Sequence, residues 1–232
     1  MGNEKIYSFT KRQLNEEKIR ILSKFASVAS HDLKNVVGGL SNVSYYLSRA
    51  LKVENETQKK MLSMLSTEVV ELNKRITEIL DMTRVKQLVK GKYDLQDIII
   101  NAIKESQVDG IVFEQHLLSA KVYADSERMK QVFFNIIKNA KDAMNNKGTV
   151  SLNMSLDNNS IITTIVDCGQ GMNEETLEDC FDPMFSTKLA KSIGMGLTVA
   201  RQIVEMHNGS ISISSKIQKG TTVVVALPIL QE

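Results

Sequence analysis

The chain has few of the residues and segments that mark extracellular or membrane-spanning proteins. It contains two cysteines, Cys168 and Cys180, and their spacing does not match a metal-binding CxxC motif. Two isolated cysteines are typical of a reduced intracellular chain with incidental thiols. No apolar run approaches the roughly 18 residues that a membrane helix needs. We therefore expect no membrane contact by this segment and a cytoplasmic location, and a longer natural protein with a membrane anchor stays compatible with the sequence.

The chain also lacks an excess of charge of one sign. Its 29 Lys and Arg residues face 27 Asp and Glu residues, which leaves a formal net charge of +2. Proteins that bind nucleic acid or anionic membranes usually carry a clustered basic excess. We therefore predict no nucleic-acid partner. The 42% of hydrophobic residues is the usual share for a protein with a buried core.

Proline is absent between Leu14 and Val89, and apolar residues recur there at every third or fourth position. Such spacing predicts two long helices joined by a polar turn at Lys52–Thr57, forming an antiparallel hairpin. The repeat comprises Leu22, Phe25, Ala29, Leu33, Val36, Leu40, Val43, Leu47 and Leu51, followed by Leu62, Leu65, Val69, Leu72, Ile76, Ile79 and Thr83. A hairpin cannot cover this stripe on both flanks. We favour a homodimeric four-helix bundle over a monomer whose stripe packs on the other domain.

From about Lys92 onward the pattern changes to mixed helices and strands. We predict helices at Leu95–Ser106, Asp125–Met144 and Gly194–His207, strands at Thr149–Leu156 and Ser160–Asp167, and a hairpin of Ser210–Ser215 with Thr221–Leu227. The predicted fold class is α+β: a helical hairpin over residues 1–90, then an α/β sandwich over 91–232 with helices on one face of a sheet. The segment Cys168–Ile193 has little periodicity, which is typical of a lid or binding loop.

One polar cluster lies on the helix predicted at Asp125–Met144. Asn135 and Asn139 are four residues apart, so their side chains share one helical face. Their amide oxygens would suit a Mg²⁺ ion that also holds phosphates, and Lys138 beside them adds a positive charge. Taken alone, such residues are more often simply solvated.

Two glycine-containing segments could approach a nucleotide. Asp167 ends a strand, where its carboxylate could accept a hydrogen bond from an adenine amine, and Gly169 and Gly171 would let the backbone approach a flat ligand. Thr187 and Lys188 precede the turn Gly194–Leu197, which leads into a helix whose N-terminal N–H groups could bind phosphate. The turn includes Met195 and Gly196. Neither a Walker-A motif nor a Rossmann fingerprint occurs, and an ordinary glycine turn remains the alternative for each segment.

A histidine lies inside the first predicted helix, in the segment Ser30–Asn35. A neutral imidazole such as that of His31 is a competent nucleophile. Asp32 is its nearest potential partner, and Asn35 shares its helical face at i+4. The alternative interpretation is an ordinary surface histidine.

Together and in this order, the segments resemble the sensor histidine kinases of two-component signalling, over about Glu16 to Pro228. The matching segments are His31–Asn35 for the H box, Asn135–Asn139 for the N box, Asp167–Gly171 for the G1 box, Phe181–Lys188 for the F box and Gly194–Leu197 for the G2 box.

The resemblance implies ATP and Mg²⁺ as cofactors and a response-regulator receiver domain as partner. His31 would be the phosphoacceptor, with Asp32 and Asn35 as catalytic neighbours that also suit phosphatase activity. Asn139 and Asn135 would bind the metal, and Asp167 would bind adenine. The cofactor-binding set would be completed by Lys138, Gly169, Gly171, Thr187, Lys188, Gly194, Met195, Gly196 and Leu197. Hinge residues near Gln87–Tyr93 would let the ATP-binding domain move against the bundle.

The chain departs from the family pattern at two places. Val36 stands where many members have a proline that bends the helix. Gly38–Gly39 could make the helix easier to bend instead, or they could only allow close helix packing. Ser192 replaces the first glycine of the G2 box.

Two other functions stay open: a related ATPase or serine kinase of the gyrase-type superfamily, and a non-catalytic dimeric scaffold. Transfer would occur within one subunit or across the dimer, depending on the handedness of the turn at Lys52–Thr57.

Overall fold

The structure is a computed structural model that describes residues 17, 35–49, 55–83, 88–106, 109–187 and 194–230. His31, Asp32 and Lys188 therefore lie outside the described residues. The chain divides into two compact units, Met1–Lys86 and Gln87–Glu232, whereas the sequence placed the division after residue 90. No helix among the described residues is long and apolar enough to cross a membrane.

The first unit contains two helices. Residues 35–49 are helical throughout (α1), and α2 spans Glu56–Thr83. The side chain of Asn55 accepts a hydrogen bond from Thr57 N at 2.8 Å, which satisfies an N–H group that has no partner within the helix. Val37 and Ser44 of α1 and Val69 of α2 are buried. The hydroxyls of Ser44 and Ser66 lie 3.0 Å apart, so α1 and α2 contact each other as the hairpin predicts.

The apolar repeat predicted for α1 lies on a different face from these buried residues. Val36, Leu40, Val43 and Leu47 are 62%, 44%, 56% and 36% exposed. Each residue of a helix turns the side chain by about 100°, so the repeat is rotated away from the face that holds Val37 and Ser44. The contact within the hairpin therefore leaves this repeat, which we call the α1 stripe, uncovered.

The second unit is a mixed sheet covered by helices. Its elements are β1 (Gly91–Asp94), α3 (Leu95–Ser106), β2 (Ile111–His116), β3 (Lys121–Ala124), α4 (Ser126–Ala143), β4 (Gly148–Asp157), β5 (Ser160–Asp167), α5 (Glu174–Asp179), α6 (Gly196–Met206), β6 (Ser210–Lys216) and β7 (Gly220–Pro228). The five-stranded sheet has the order β2-β4-β5-β7-β6. β2 runs parallel to β4 and the other neighbours are antiparallel, while β1 and β3 form a separate antiparallel pair.

One face of the sheet carries the core. Alternate residues of β5 are buried, among them Ile161, Ile165 and Asp167, because successive side chains of a strand point to opposite faces. α4 packs on β4, β5 and β7, α6 packs on β6, and α3 lies against α4. The buried stripe of α4 includes Phe133 and Ile137. The predicted α+β class, with helices on one face of the sheet, is confirmed.

Within the predicted hinge Gln87–Tyr93, residues 89–93 contact other parts of the second unit, and Gln87 lies outside the described residues. Val89 N donates to Asp125 Oδ2 at 2.9 Å, and Lys90 Nζ donates to Met206 O at 2.9 Å. Residues 91–94 pair with β3. These residues are therefore held on the second unit and do not form a free connection.

Candidate functional site

A cavity of about 500 Å³ opens between α4, α6 and the ends of β5 and β7. This volume lies in the range of ordinary small-molecule sites. Eight of the residues predicted from the sequence line it: Asn139, Asp167, Gly171, Thr187, Gly194, Met195, Gly196 and Leu197. Three segments that are distant in the sequence therefore meet at one place.

Asp167 lies at the end of β5 and is almost fully buried, with 7% of its surface exposed. Its Oδ1 accepts hydrogen bonds from Gly169 N at 2.8 Å and Thr221 N at 3.2 Å. Burial raises the pKa of the carboxyl group, and these two backbone bonds oppose the rise. Both bonds to described residues end on Oδ1, so Oδ2 is the oxygen left to accept a bond from a ligand in the cavity.

Of the two asparagines of α4, Asn139 lines the cavity, whereas Asn135 is not among the lining residues and instead contacts the start of α6. Asn135 Nδ2 donates to Gly196 O at 3.1 Å, and Asn139 lines the cavity. Asn135 thus fixes the turn that begins α6, and its own Oδ1 stays an acceptor. Lys138 is half-buried and is not among the lining residues, so the structure does not bring it into the cavity wall.

The turn before α6 requires glycine at its first position. Gly194 has a φ of +72°, and a Cβ there would lie 2.2 Å from Phe185 O, which no L side chain tolerates. No side-chain hydrogen bond from a described residue caps α6. Its first N–H groups thus begin at the cavity without a side-chain acceptor, which suits an anionic ligand.

The glycines after Asp167 serve backbone packing. A Cβ on Gly171, whose φ is +67°, would lie 2.0 Å from Lys216 O. A Cβ on Gly169 would lie 2.7 Å from Ala143 Cβ. Gly171 lines the cavity, whereas Gly169 allows close contact with the end of α4. The predicted ligand approach therefore fits Gly171 better than Gly169.

The sequence analysis missed most of the cavity wall. The remaining lining residues are Ile136, Ala140, Ala143, Ile165, Gln170, Met172, Asn173, Thr176, Cys180, Phe185, Ser186, Ile213, Ile217, Gln218, Thr221 and Val223. The period of two could have identified Ile165, because it lies two residues before Asp167 on the same strand face. Burial raises the pKa of the Cys180 thiol to about 11, so this residue serves as a neutral wall and not as a nucleophile.

The histidine segment belongs to the other unit. Asn35 is exposed on α1, while every described residue that lines the cavity belongs to Gln87–Glu232. Two groups of predicted site residues thus belong to separate compact units. Any reaction between them requires the two units to meet.

Comparisons with known proteins agree with this geometry. Residues 124–231 match the family described as histidine kinase-, DNA gyrase B-, and HSP90-like ATPase, a range that runs from the last residue of β3 to beyond β7. The sensor histidine kinase ZraS of Klebsiella oxytoca is 28% identical over 96% of this chain and 50% of its own length. The chain thus spans about half the length of the curated relatives it matches.

Solved structures share the fold over most of the chain. Full-length ShkA in complex with AMPPNP covers 90% of this chain and is itself covered over 46%, with a TM-score of 0.77 and 17% identity. Histidine kinase ThkA, solved in complex with the response regulator protein TrrA, covers 97% of this chain and is covered over 67%, with a TM-score of 0.63 and 23% identity. At these identities the two structures establish the fold alone.

Proposed function

We propose that the chain is a histidine kinase core, because sensor histidine kinases are among the proteins that it resembles in sequence and in fold. It uses ATP to phosphorylate His31 and passes the phosphoryl group to an aspartate of a response-regulator receiver domain. One observation carries the proposal: Asn139, Asp167 and the turn Gly194–Leu197 line a single cavity of about 500 Å³. This cavity offers an acceptor for adenine at one side and helix N–H groups for phosphates at another.

The nucleotide would lie along this cavity. Asp167 Oδ2 accepts the adenine amine, and Ile165 and Val223 supply apolar walls for the base. The N-terminus of α6, with Thr187 and Lys188, binds the distal phosphates. The segment Phe181–Ile193 between α5 and α6 then serves as a lid.

The donors present also fit Mg²⁺. Asn139 lines the cavity and Asn135 lies beside it, and their amide oxygens are the neutral hard ligands that this ion accepts together with phosphate oxygens. When bound, the ion neutralises phosphate charge. Asn135 also holds the α6 turn through its Nδ2, so a single side chain links metal binding to the phosphate-binding turn.

The chemical step joins the two units. The neutral imidazole of His31 attacks the γ-phosphorus, an N–P bond forms, and the P–O bond to the leaving ADP breaks. Asp32 takes or orients the imidazole proton, and Asn35 lies one helical turn away. Catalysis rests on positioning and charge neutralisation. Asp32 and Asn35 would also orient water for dephosphorylation of the partner regulator.

Two partners follow from this proposal. The uncovered α1 stripe supports a homodimer, since a second copy of the hairpin would bury it in a four-helix bundle. A receiver domain is the second proposed partner, in line with the solved complex of ThkA with the response regulator protein TrrA, and it would meet the hairpin near His31. The cytoplasm remains the proposed location, because ATP is the phosphoryl donor.

The deciding experiment is incubation of the chain with γ-labelled ATP and Mg²⁺. We expect acid-labile label on the wild type and none on His31→Ala. His116→Ala is the matched control, since His116 is an exposed histidine on β2, and this variant should label normally. Addition of a receiver domain should move the label to that domain.

Other outcomes would favour other functions. Label that persists in His31→Ala excludes His31 as acceptor, and acid-stable label on serine supports a serine kinase. A fluorescent-ATP titration without Mg²⁺-dependent binding supports the non-catalytic scaffold. In that case the cavity would be a remnant of a nucleotide site.

A further inference from the structure

Two residues near the start of the second unit, Val89 and Lys90, are bonded to the helices of the nucleotide cavity. Val89 N donates to Asp125 Oδ2 at 2.9 Å. Lys90 Nζ donates to Met206 O at 2.9 Å. Asp125 is the N-cap residue of α4, and Met206 is the last residue of α6. The segment 88–90 therefore has one anchor on each of the two helices whose other parts line the cavity.

α4 and α6 are antiparallel and are linked at two levels. At the cavity, Asn135 Nδ2 donates to Gly196 O at 3.1 Å. At the other end of α6, next to the start of α4, Asp125 N donates to His207 Nε2 at 2.9 Å. The eleven residues of α6 cover about 16 Å at 1.5 Å each. A rigid pair of helices thus connects the phosphate-binding turn with the anchors of segment 88–90.

The tautomer of His207 is determined by its neighbours. Since Asp125 N–H can only donate, Nε2 must accept, and the proton must lie on Nδ1. Nδ1 then donates to Ile203 O at 2.7 Å. His207 is 5% exposed, and both of its ring nitrogens are occupied. This ring fixes the end of α6 against the start of α4.

The charges favour the arrangement. Asp125 Oδ1 accepts from Arg128 N at 3.1 Å while Oδ2 accepts from Val89 N, so one carboxylate caps α4 and holds the entering chain. The Lys90 ammonium binds a C-terminal carbonyl of α6, where the helix dipole favours a cation. The bond to Arg128 N and the bond to Met206 O each satisfy a backbone group at a helix end that has no partner within its helix.

We propose that Lys90, Asp125 and His207 form a clamp that fixes segment 88–90 to α4 and α6 and thereby positions the ATP-binding unit for transfer to His31. The part concerning transfer rests on the proposed kinase function. The clamp residues are positioning residues: they lie at the ends of α4 and α6 away from the cavity. Their effect is to restrict the directions in which the ATP-binding unit can approach the hairpin.

The test compares the double variant Lys90→Met/Asp125→Ser with the wild type. Met keeps the apolar stem of Lys90, and Ser keeps an oxygen that caps α4 but removes the acceptor for Val89 N. The rate constant of His31 labelling at saturating ATP should fall at least about tenfold, while the KM for ATP changes less than twofold. Lys92→Met, the loss of an exposed lysine on neighbouring β1, should change neither value.

Hydrogen exchange of the Val89 amide gives a second readout that does not need kinase activity. The amide should be protected in the wild type and in Lys92→Met, and the double variant should lose the protection. An unprotected Val89 amide in the wild type overturns the clamp. A variant that labels His31 at the wild-type rate, or that loses rate and ATP affinity together with thermal stability, overturns its positioning role. Wild type that binds ATP without labelling His31 overturns the proposed kinase function alone, because the exchange result still decides whether the clamp exists.

Discussion

At the scale of single residues, Asp167 combines two roles that a substitution can separate. Asn at this position keeps an Oδ1 that can accept from Gly169 N and Thr221 N, but it would present an amide donor to the adenine amine. Affinity for ATP should therefore fall at least about tenfold, since a donor facing a donor leaves both groups unpaired.

The same Asp167→Asn variant should not lose stability. Burial raises the pKa of this carboxyl group, which means that its ionised form is less favourable in the folded chain than in the unfolded chain, and the neutral amide avoids that cost. Thermal denaturation should give a midpoint no lower than that of the wild type. Asp109→Asn, at an exposed position, serves as the control for both measurements. A variant that binds ATP normally would remove Asp167 from the adenine site.

The two glycines of the α6 turn should respond differently to alanine. Gly194→Ala places a Cβ 2.2 Å from Phe185 O at a φ of +72°, which should cost about 2 kcal/mol or more in the free energy of unfolding. Gly196 is helical, and its Cβ would find its nearest neighbour, Asn135, at 3.7 Å. Gly196→Ala should therefore change stability by less than about 0.5 kcal/mol. Urea denaturation of both variants checks the contrast, and equal losses would contradict it.

Among site residues, the sequence identified those whose chemistry is unusual for their position. A carboxylate at a strand end, an asparagine pair and a glycine turn are visible in the chain itself. The apolar wall, with residues such as Ile213 and Val223, was not predicted, because these side chains look like any core residue until the sheet order brings β7 beside β5 and β6 beside β7. Long-range packing, not local pattern, selects them.

At the scale of elements, strong periodicity predicted α3, α4, α6, β4 and β5 nearly to their ends. The elements it missed are short: β1 and β3 have four residues each, and α5 has six. β2 was missed as well, and its partner β4 lies beyond α4 in the chain. Segments of this length hold too few residues to show a period, and their pairing depends on contacts that are distant in sequence.

The junction of α6 with α4 should make stability depend on pH. Burial lowers the pKa of His207, and nearby Lys90 lowers it further, whereas the bond to Ile203 O and the charge of Asp125 raise it. Because the folded-state pKa is depressed, the neutral ring contributes stability above the unfolded pKa of about 6.5. That contribution is lost as pH falls from there through the folded pKa.

Gln in place of His207 would test this dependence. Its Oε1 can accept from Asp125 N and its Nε2 can donate to Ile203 O, yet it does not titrate. Between pH 7.5 and 5 the wild type should therefore lose more unfolding free energy than His207→Gln does. His116→Gln, on an exposed face of β2, should keep the wild-type dependence. Parallel pH curves for the wild type and His207→Gln would contradict the assignment.

At the scale of the whole molecule, the nucleotide cavity belongs to one unit, and the uncovered apolar surface belongs to the other. All of the described residues that line the cavity belong to Gln87–Glu232, so we expect nucleotide binding to need no second copy. The hairpin, in contrast, leaves Val36, Leu40, Val43 and Leu47 uncovered, at spacings of four, three and four that fit a heptad seam. An apolar row of this kind on a helix marks an interaction surface, and a second hairpin offers the same row in return.

Two neighbouring substitutions separate dimer formation from nucleotide binding. Val43 lies on the α1 stripe. Asn42 is also exposed, but as the preceding residue it points about 100° away from Val43 and lies off the stripe. Val43→Glu would bury a charge in the seam and should weaken dimerisation at least about tenfold, whereas Asn42→Glu should have little effect. Sedimentation velocity at a series of concentrations would measure both against a wild-type dimer of twice 25.9 kDa. Both variants should bind ATP like the wild type, because the cavity lies in the other unit. A monomeric wild type, or equal dissociation of the two variants, would show that the stripe does not form the dimer.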